Sequence, residues 1–432
     1  MGLALLGLGA VAMAVPGCAT GPSAGARAPW AARLDAELAA IVNDPAQPLA
    51  SLSVLAVRGG EVVYEAQLGR RRIDAANPAN DRPANRDTLY RIASITKLVT
   101  TLGVMRLVEE GKLDLDRDVS SYLGWPLRNP HFPDAPITLR MLLTHTSSLR
   151  DDGGYTWPAG TALRDVMNAR MWSARARPGE WFSYANLPWG VIGTVMEKAT
   201  GERFDRLMTR LVIEPLGLRG GFEPAEFARS QLVNLATLYR EGWAPQVDDL
   251  SRAAPVHRAA NGYEVGSNGA LFGPQGNLRA SAADLGRVMR MLLAGGEIDG
   301  QRFLHAETVD AMLSRQWTWR EGAGNSTYGT GKQRLNAWGL GNQHFLDVGG
   351  AGAGDRLVEG GGFTGMGHHG DAYGLNGIVV LDRARKDGIV YLAGGPGFDP
   401  ARFPGAYSAF HRYEERVMTA LHRRAIVQEA RP

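Results

Sequence analysis

The strand-like sequence of this chain is confined to its two ends, and that limits the folds open to it more than any other feature. Near the start, Ser53-Val54-Leu55-Ala56-Val57 and Glu61-Val62-Val63-Tyr64-Glu65 flank Arg58-Gly59-Gly60, a glycine turn between β-branched runs that predicts a hairpin. Near the end, Gly377-Ile378-Val379-Val380-Leu381 and Ile389-Val390-Tyr391-Leu392 flank a polar turn at 382–386, and residues 406–423 read as an amphipathic helix. Between about 111 and 284 the sequence is helical and irregular, broken by Pro and Gly, with Leu187–Thr200 and Ala282–Leu293 its clearest helices. The expectation is an α/β (α+β) architecture. An antiparallel sheet flanked by helices is built from both chain ends, and a mostly helical lobe is inserted between them. No internal repeat is visible.

A length of 432 residues favours two lobes over one small core. We expect residues 31–105 and 286–432 to form the α/β lobe and 106–285 the helical lobe. With 44% hydrophobic and 21% charged residues, the composition is that of an ordinary soluble protein. The 47 basic and 44 acidic residues leave a net charge of only +3. The run Arg70-Arg71-Arg72 reads as a solvated loop, and no basic stripe interleaved with aromatics argues for nucleic acid as a partner.

Residues 3–15 are apolar or glycine throughout, too short a run to span a bilayer and suited to a secretory signal. Val15-Pro16-Gly17-Cys18 then resembles a bacterial lipobox, with Cys18, the only cysteine, as the lipidation site. The resemblance implies a signal peptide over 1–18, a linker over 19–30, and an exported protein, periplasmic or anchored to the membrane through Cys18. A mature domain over 31–432 then has no disulfide and relies on its core alone.

The chemistry-bearing residues fall in three places. Ser94 opens an apolar run with helical spacing at 95, 98, 99, 102, 105 and 108, and Lys97 follows one turn later on the same face. A hydroxyl attacks only when a base takes its proton, and a lysine serves as that base only when burial lowers its pKa. Ile92, Ala93, Ile95 and Leu98 supply apolar surroundings, and the helix start adds partial positive charge. The second place is Pro178-Gly179-Glu180-Trp181-Phe182-Ser183-Tyr184-Ala185-Asn186, ahead of the helix at 187. The third is Gly367-His368-His369-Gly370-Asp371, leading into the late hairpin, where Gly370 lets a substrate lie close to a strand edge. There the Asp371 N–H is expected to pair with the Ser94 N–H as an oxyanion hole.

These three elements, in this order, resemble the class C β-lactamases, the D-alanyl-D-alanine carboxypeptidases and the β-lactamase-like esterases, whose boxes read Ser-x-x-Lys, Tyr-x-Asn and Lys-Thr-Gly or His-x-Gly. The segments 137–149, with Thr144-His145-Thr146-Ser147-Ser148-Leu149, and 274–281 resemble further family segments. The resemblance implies a β-lactamase/transpeptidase-like fold and a serine hydrolase acting on a small-molecule or peptide substrate without a cofactor. It also implies the roles. Ser94 is acylated, Lys97 and Tyr184 share general-base and general-acid duty, Asn186 orients the lysine and the substrate, and His368 stands where the third-box lysine would be. Cleavage of an ester or amide, such as a D-amino-acid peptide or small ester, is the leading expectation. A true β-lactamase or D,D-carboxypeptidase and a catalytically idle penicillin-binding-type protein are the alternatives. Sequence leaves the oligomeric state open.

Two departures bear on specificity. His368 replaces a permanent cation, so carboxylate-bearing substrates are expected to bind better as pH falls through its titration. Ser148 stands where the family has glycine. A metal site at His368, His369 and Asp371 is disfavoured, because adjacent residues of a strand point to opposite faces. His145 reads as structural.

Overall fold

The computed structural model describes residues 28–74, 76–259, 262–328 and 333–428. The signal-like run, Cys18 and the expected linker up to 27 lie outside the described residues.

Helix α1 (Pro29–Val42) leads into strands β1 (Ser51–Arg58) and β2 (Glu61–Arg72). Their turn runs through Gly59 and Gly60 at φ 60° and 90°, left-handed values that glycine adopts without steric cost. After β3 (Arg82–Pro83) come helices α2 (Ile95–Glu109), α3 (Leu187–Thr200) and α4 (Ala282–Leu293). Three very short strands follow: β4 (Trp317–Thr318), β5 (Ala337–Trp338) and β6 (Gln343–Phe345). The chain closes with β7 (Gly365–Ala372), β8 (Leu375–Asp382), β9 (Asp387–Ala393) and helix α5 (Arg412–Leu421).

These nine strands join one antiparallel sheet in the order β4-β5-β6-β7-β8-β9-β1-β2-β3. The two ends of the chain meet where β1 pairs with β9, with Val54 opposite Tyr391. Successive side chains of a strand point to opposite faces, and here both faces are covered. Leu55, Val57, Val379, Leu381, Val390 and Leu392 face a core shared with α2, α3 and α4. Val54, Ala56, Ile378, Val380, Ile389 and Tyr391 face a second core under α1 and α5. This explains why the central strands read as continuous apolar runs rather than as alternating ones.

The structure departs from the sequence expectations in two local places. Arg70-Arg71-Arg72 are not a loop but the end of β2, held by β3, by the Ala50 carbonyl at 2.6 Å from the Arg70 N–H, and by an Arg70–Asp81 ion pair at 2.8 Å. Residues 406–411 are not helical. The Glu415 carboxylate takes the N–H groups of Ala406 (2.8 Å) and Tyr407 (3.0 Å) and the Ser408 hydroxyl (2.7 Å), folding this segment back over the helix start. Helix α5 therefore begins at Arg412 and widens into a π turn at His422–Val427. Helix α2 runs through position 106 without a break and is buried on nearly every side.

Candidate active site

Ser94 sits at the mouth of α2, directly after Ala93, whose φ of 48° puts a residue with a Cβ in the left-handed region. Such a conformation costs about 1 kcal/mol and persists only where neighbouring contacts impose it. They do so here. Tyr90 and Arg91 pair with Ala280 and Arg279, and the Ile92 N–H donates to the Leu278 carbonyl at 3.0 Å. The 274–281 segment is thus the wall against which the Ser94 turn is set.

One turn further, Lys97 is fully buried. Its Nζ lies 3.1 Å from Ser94 Oγ, 2.9 Å from Asn186 Oδ1 and 3.1 Å from the Gln275 carbonyl oxygen. Burial pulls its pKa down to about 7, opposed in part by the negative charge of Asp151. The amine therefore has a substantial neutral fraction at neutral pH.

Tyr184 projects from the segment before α3, and its phenol interacts with the Ser94 hydroxyl. Lys97 Nζ is 4.9 Å from the centre of the Tyr184 ring. Burial drives the phenol well above its usual pKa, which keeps it protonated across the neutral range. His145 stacks beneath it, with ring centres 4.4 Å apart, and also touches Phe182 and Trp338. Its Nδ1 accepts the Ala185 N–H at 3.3 Å and its carbonyl accepts the Ser183 N–H at 2.9 Å. The 137–149 segment thereby fixes the backbone on both sides of Tyr184.

Asn186 is held from its other side by Asp151, a residue that the sequence reading did not single out. The Asp151 carboxylate accepts the Asn186 N–H at 2.8 Å, the Leu187 N–H at 2.9 Å and the Asn186 side-chain Nδ2 at 3.0 Å. No spacing rule links positions 151 and 186, so the sequence carries no local signal of this contact.

The third element is β7. Its pairing with β6 ends at Gly367, and at Gly370 the strand packs against the start of α2. A Cβ at Gly370 would stand 2.7 Å from the Ile92 carbonyl oxygen and 3.1 Å from Ile95 Cγ1, so only glycine allows strand and helix to approach this closely. His369 points to the opposite face, where its Nε2 meets Glu414 Oε1 at 2.9 Å. The exposed Asp371 shares that opposite face, its charge acting on His369 and Tyr413.

His368 corrects one expectation. Its Nδ1 is 2.6 Å from the His369 carbonyl oxygen, which can only accept, so Nδ1 carries the proton. The ring is buried, near Tyr184 and Trp338, and burial together with the Lys97 charge holds its pKa well below the usual value. It is thus a neutral imidazole at neutral pH and supplies no cation there to gather carboxylates.

A cavity of about 480 Å³ opens onto these groups, lined among others by Ser94, Tyr184, Tyr328, Arg334, His368 and Asp371. Arg334 was not foreseen either. Among the described residues its guanidinium makes no ion pair, and its charge is felt at Tyr184 and His368.

A family model described as Beta-lactamase matches residues 32–413. Esterase EstB of Burkholderia gladioli is 31% identical over 337 residues, which is 72% of this chain and 78% of that protein. The D-alanyl-D-alanine-carboxypeptidase/endopeptidase AmpH of Escherichia coli K12 is 28% identical over 178 residues, 39% of this chain and 44% of that one. Among solved structures, a beta-lactamase/D-alanine carboxypeptidase from Yersinia pestis superposes with a TM-score of 0.62 at 18% identity, covering 90% of this chain and 95% of the other. That last likeness speaks to the fold alone.

Proposed function

The chain belongs to the beta-lactamase family of serine hydrolases, and on that premise we propose that it cleaves an ester or amide through an acyl group carried on Ser94. The observation that carries this reading is the triple contact of Lys97. In its neutral form the amine accepts from the Ser94 O–H and donates to Asn186 and Gln275. Once it has taken the proton, all three partners are acceptors for an ammonium. The surroundings suit the state that follows proton uptake, as a general base requires.

In the proposed sequence, the Ser94 proton passes to Lys97 Nζ while Oγ bonds the substrate carbonyl carbon. The oxyanion is received by the N–H groups of Ser94 and Asp371. Tyr184, protonated at neutral pH, gives its proton to the leaving group and is recharged from the Lys97 ammonium. Water then releases the acyl group by the reverse proton path. His145 and Asn186 hold Tyr184 and Lys97 in register.

For the substrate, the neutral His368 supports an uncharged ester or amide over a penicillin-like anion at the third-box position. Among the described residues Arg334 is the permanent cation that lines the cavity, and any anionic substrate group would be drawn to it. The apolar run at 3–15 and Cys18 support export with a lipid anchor, as read from the sequence.

A short-chain nitrophenyl ester tests the reading. We expect the folded protein to cleave it and Ser94→Ala to lose roughly a thousandfold or more of kcat/KM. Undiminished turnover in that variant would remove Ser94 from the reaction.

A further inference from the structure

The geometry points to Asp151 as a positioning residue of the reaction, locking the Asn186 amide so that its oxygen, not its nitrogen, faces Lys97.

An asparagine side chain offers an oxygen acceptor on one side and an NH₂ donor on the other, and rotation by half a turn exchanges them. Facing Lys97, the two ends are not equivalent. The oxygen accepts from the amine in both its protonation states, whereas an NH₂ group there would oppose the ammonium. Asp151 decides between them. Its carboxylate is an acceptor only, and Oδ2 receives Asn186 Nδ2 at 3.0 Å, which leaves Oδ1 at 2.9 Å from Nζ. The same carboxylate takes two backbone N–H groups at the mouth of α3, where Asn186 supplies no side-chain cap of its own. The helix start is thus capped from the 149–152 loop, and the cap and the amide orientation are one contact.

Besides the Gln275 carbonyl, several side chains face Lys97. They are Ser94 from α2, Tyr184 and Asn186 from the segment before α3, His145 from the 139–148 segment, His368 from β7, and Asp151 behind Asn186. Both histidines are held neutral by burial and the phenol is protonated. Among these groups Asp151 is the one carboxylate, and its charge favours the protonated lysine.

This inference rests on the reading of Lys97 as the base, and the experiment separates the two. The wild-type protein is assayed first on the nitrophenyl ester. Absence of an acid limb in its kcat/KM profile would count against Lys97 as base, whatever Asp151 does. Given that limb, we expect Asp151→Asn to lower kcat by about tenfold to a hundredfold with little change in KM. The acid limb should move to lower pH by about one unit, because a negative charge near the amine is gone. A contact that merely stabilises α3 would lower the melting temperature and leave the limb in place. Asn186→Ala combined with Asp151→Asn should be no slower than Asn186→Ala alone, since Asp151 acts through that amide. Should Asp151→Asn not fold, Asp151→Glu carries the test, with kcat reduced and the limb unmoved because the charge is kept. Variants of wild-type kcat, or losses that add in the double variant, would overturn the proposal.

Discussion

The burial that would make Lys97 a base costs the fold stability. The Lys97 pKa falls from 10.5 to about 7 on folding, so the unfolded chain binds more protons than the native one between those values. Stability therefore rises with pH through that window, and below about 7 the folded protein bears the full cost of burying an ammonium. Two results follow for Lys97→Met. Turnover should be lost, and at neutral pH the melting temperature should rise, a few kcal/mol of buried charge having been removed. Thermal melts beside the ester assay check both, and a variant that is inactive and also less stable would contradict this account of the lysine. In the unmodified protein, kcat/KM should fall as pH drops through about 7, as the lone pair of Lys97 is lost. Arg334 supplies a second test at this scale. Arg334→Ala should raise KM for a carboxylate-bearing ester by about tenfold and leave a neutral ester nearly unchanged. The binding of either ester should not strengthen as pH falls through the ordinary histidine range, because burial and the Lys97 charge hold the His368 pKa well below its usual value. Equal effects of Arg334→Ala on both esters would remove it from substrate recognition.

The close approach of strand β7 to helix α2 is decided by one missing Cβ. Gly370→Ala would force the strand edge away from Ile92 and Ile95, and with it the Asp371 N–H away from Ser94. A shift of even 1 Å costs about a hundredfold in rate. We expect that loss in kcat, with a fall of a few degrees in melting temperature and unchanged far-UV circular dichroism. Wild-type kcat in Gly370→Ala would show that the strand does not position the oxyanion donors. The elements themselves were legible to different degrees. Helices α3 and α4 fall on the bounds read from spacing, and both hairpins lie where their turns predicted. Strands β4, β5 and β6 escaped notice, since two or three residues are too few to show any period. Ser94, Lys97, Tyr184, Asn186 and His368 could be named because a local pattern surrounds each one. Asp151 and Arg334 could not, because their places depend on contacts between segments distant in the chain.

Across the whole molecule, the sheet separates two cores, and the helical part is tied together by buried polar groups. Glu197, inside α3, is the clearest of these. Its carboxylate accepts the Phe204 N–H at 2.8 Å, the Gly266 N–H at 2.7 Å and the Tyr263 hydroxyl, joining three segments of that part. Burial raises its pKa from 4.5 to about 7 despite these donors. The folded protein thus binds more protons here than the unfolded one between those values. The corresponding stability is full below 4.5 and is lost as pH rises through about 7. Glu197→Gln should remove this contribution, so the difference in melting temperature between variant and wild type should change between about pH 5 and about pH 8. A constant difference would mean that Glu197 ionises normally in the folded protein. The cleft depends on this framework, because Tyr184 and Asn186 are carried at the start of the helix that Glu197 anchors.

The proposed reaction passes the substrate's acyl group through the Ser94 hydroxyl. Its most direct test is mass spectrometry of the protein quenched with acid during turnover of a slow ester, followed by peptide mapping. We expect one acyl adduct per chain, on the peptide containing Ser94, which forms and decays with turnover and is absent in Ser94→Ala. Steady turnover with an adduct on any other residue, or turnover that persists in Ser94→Ala, would contradict it.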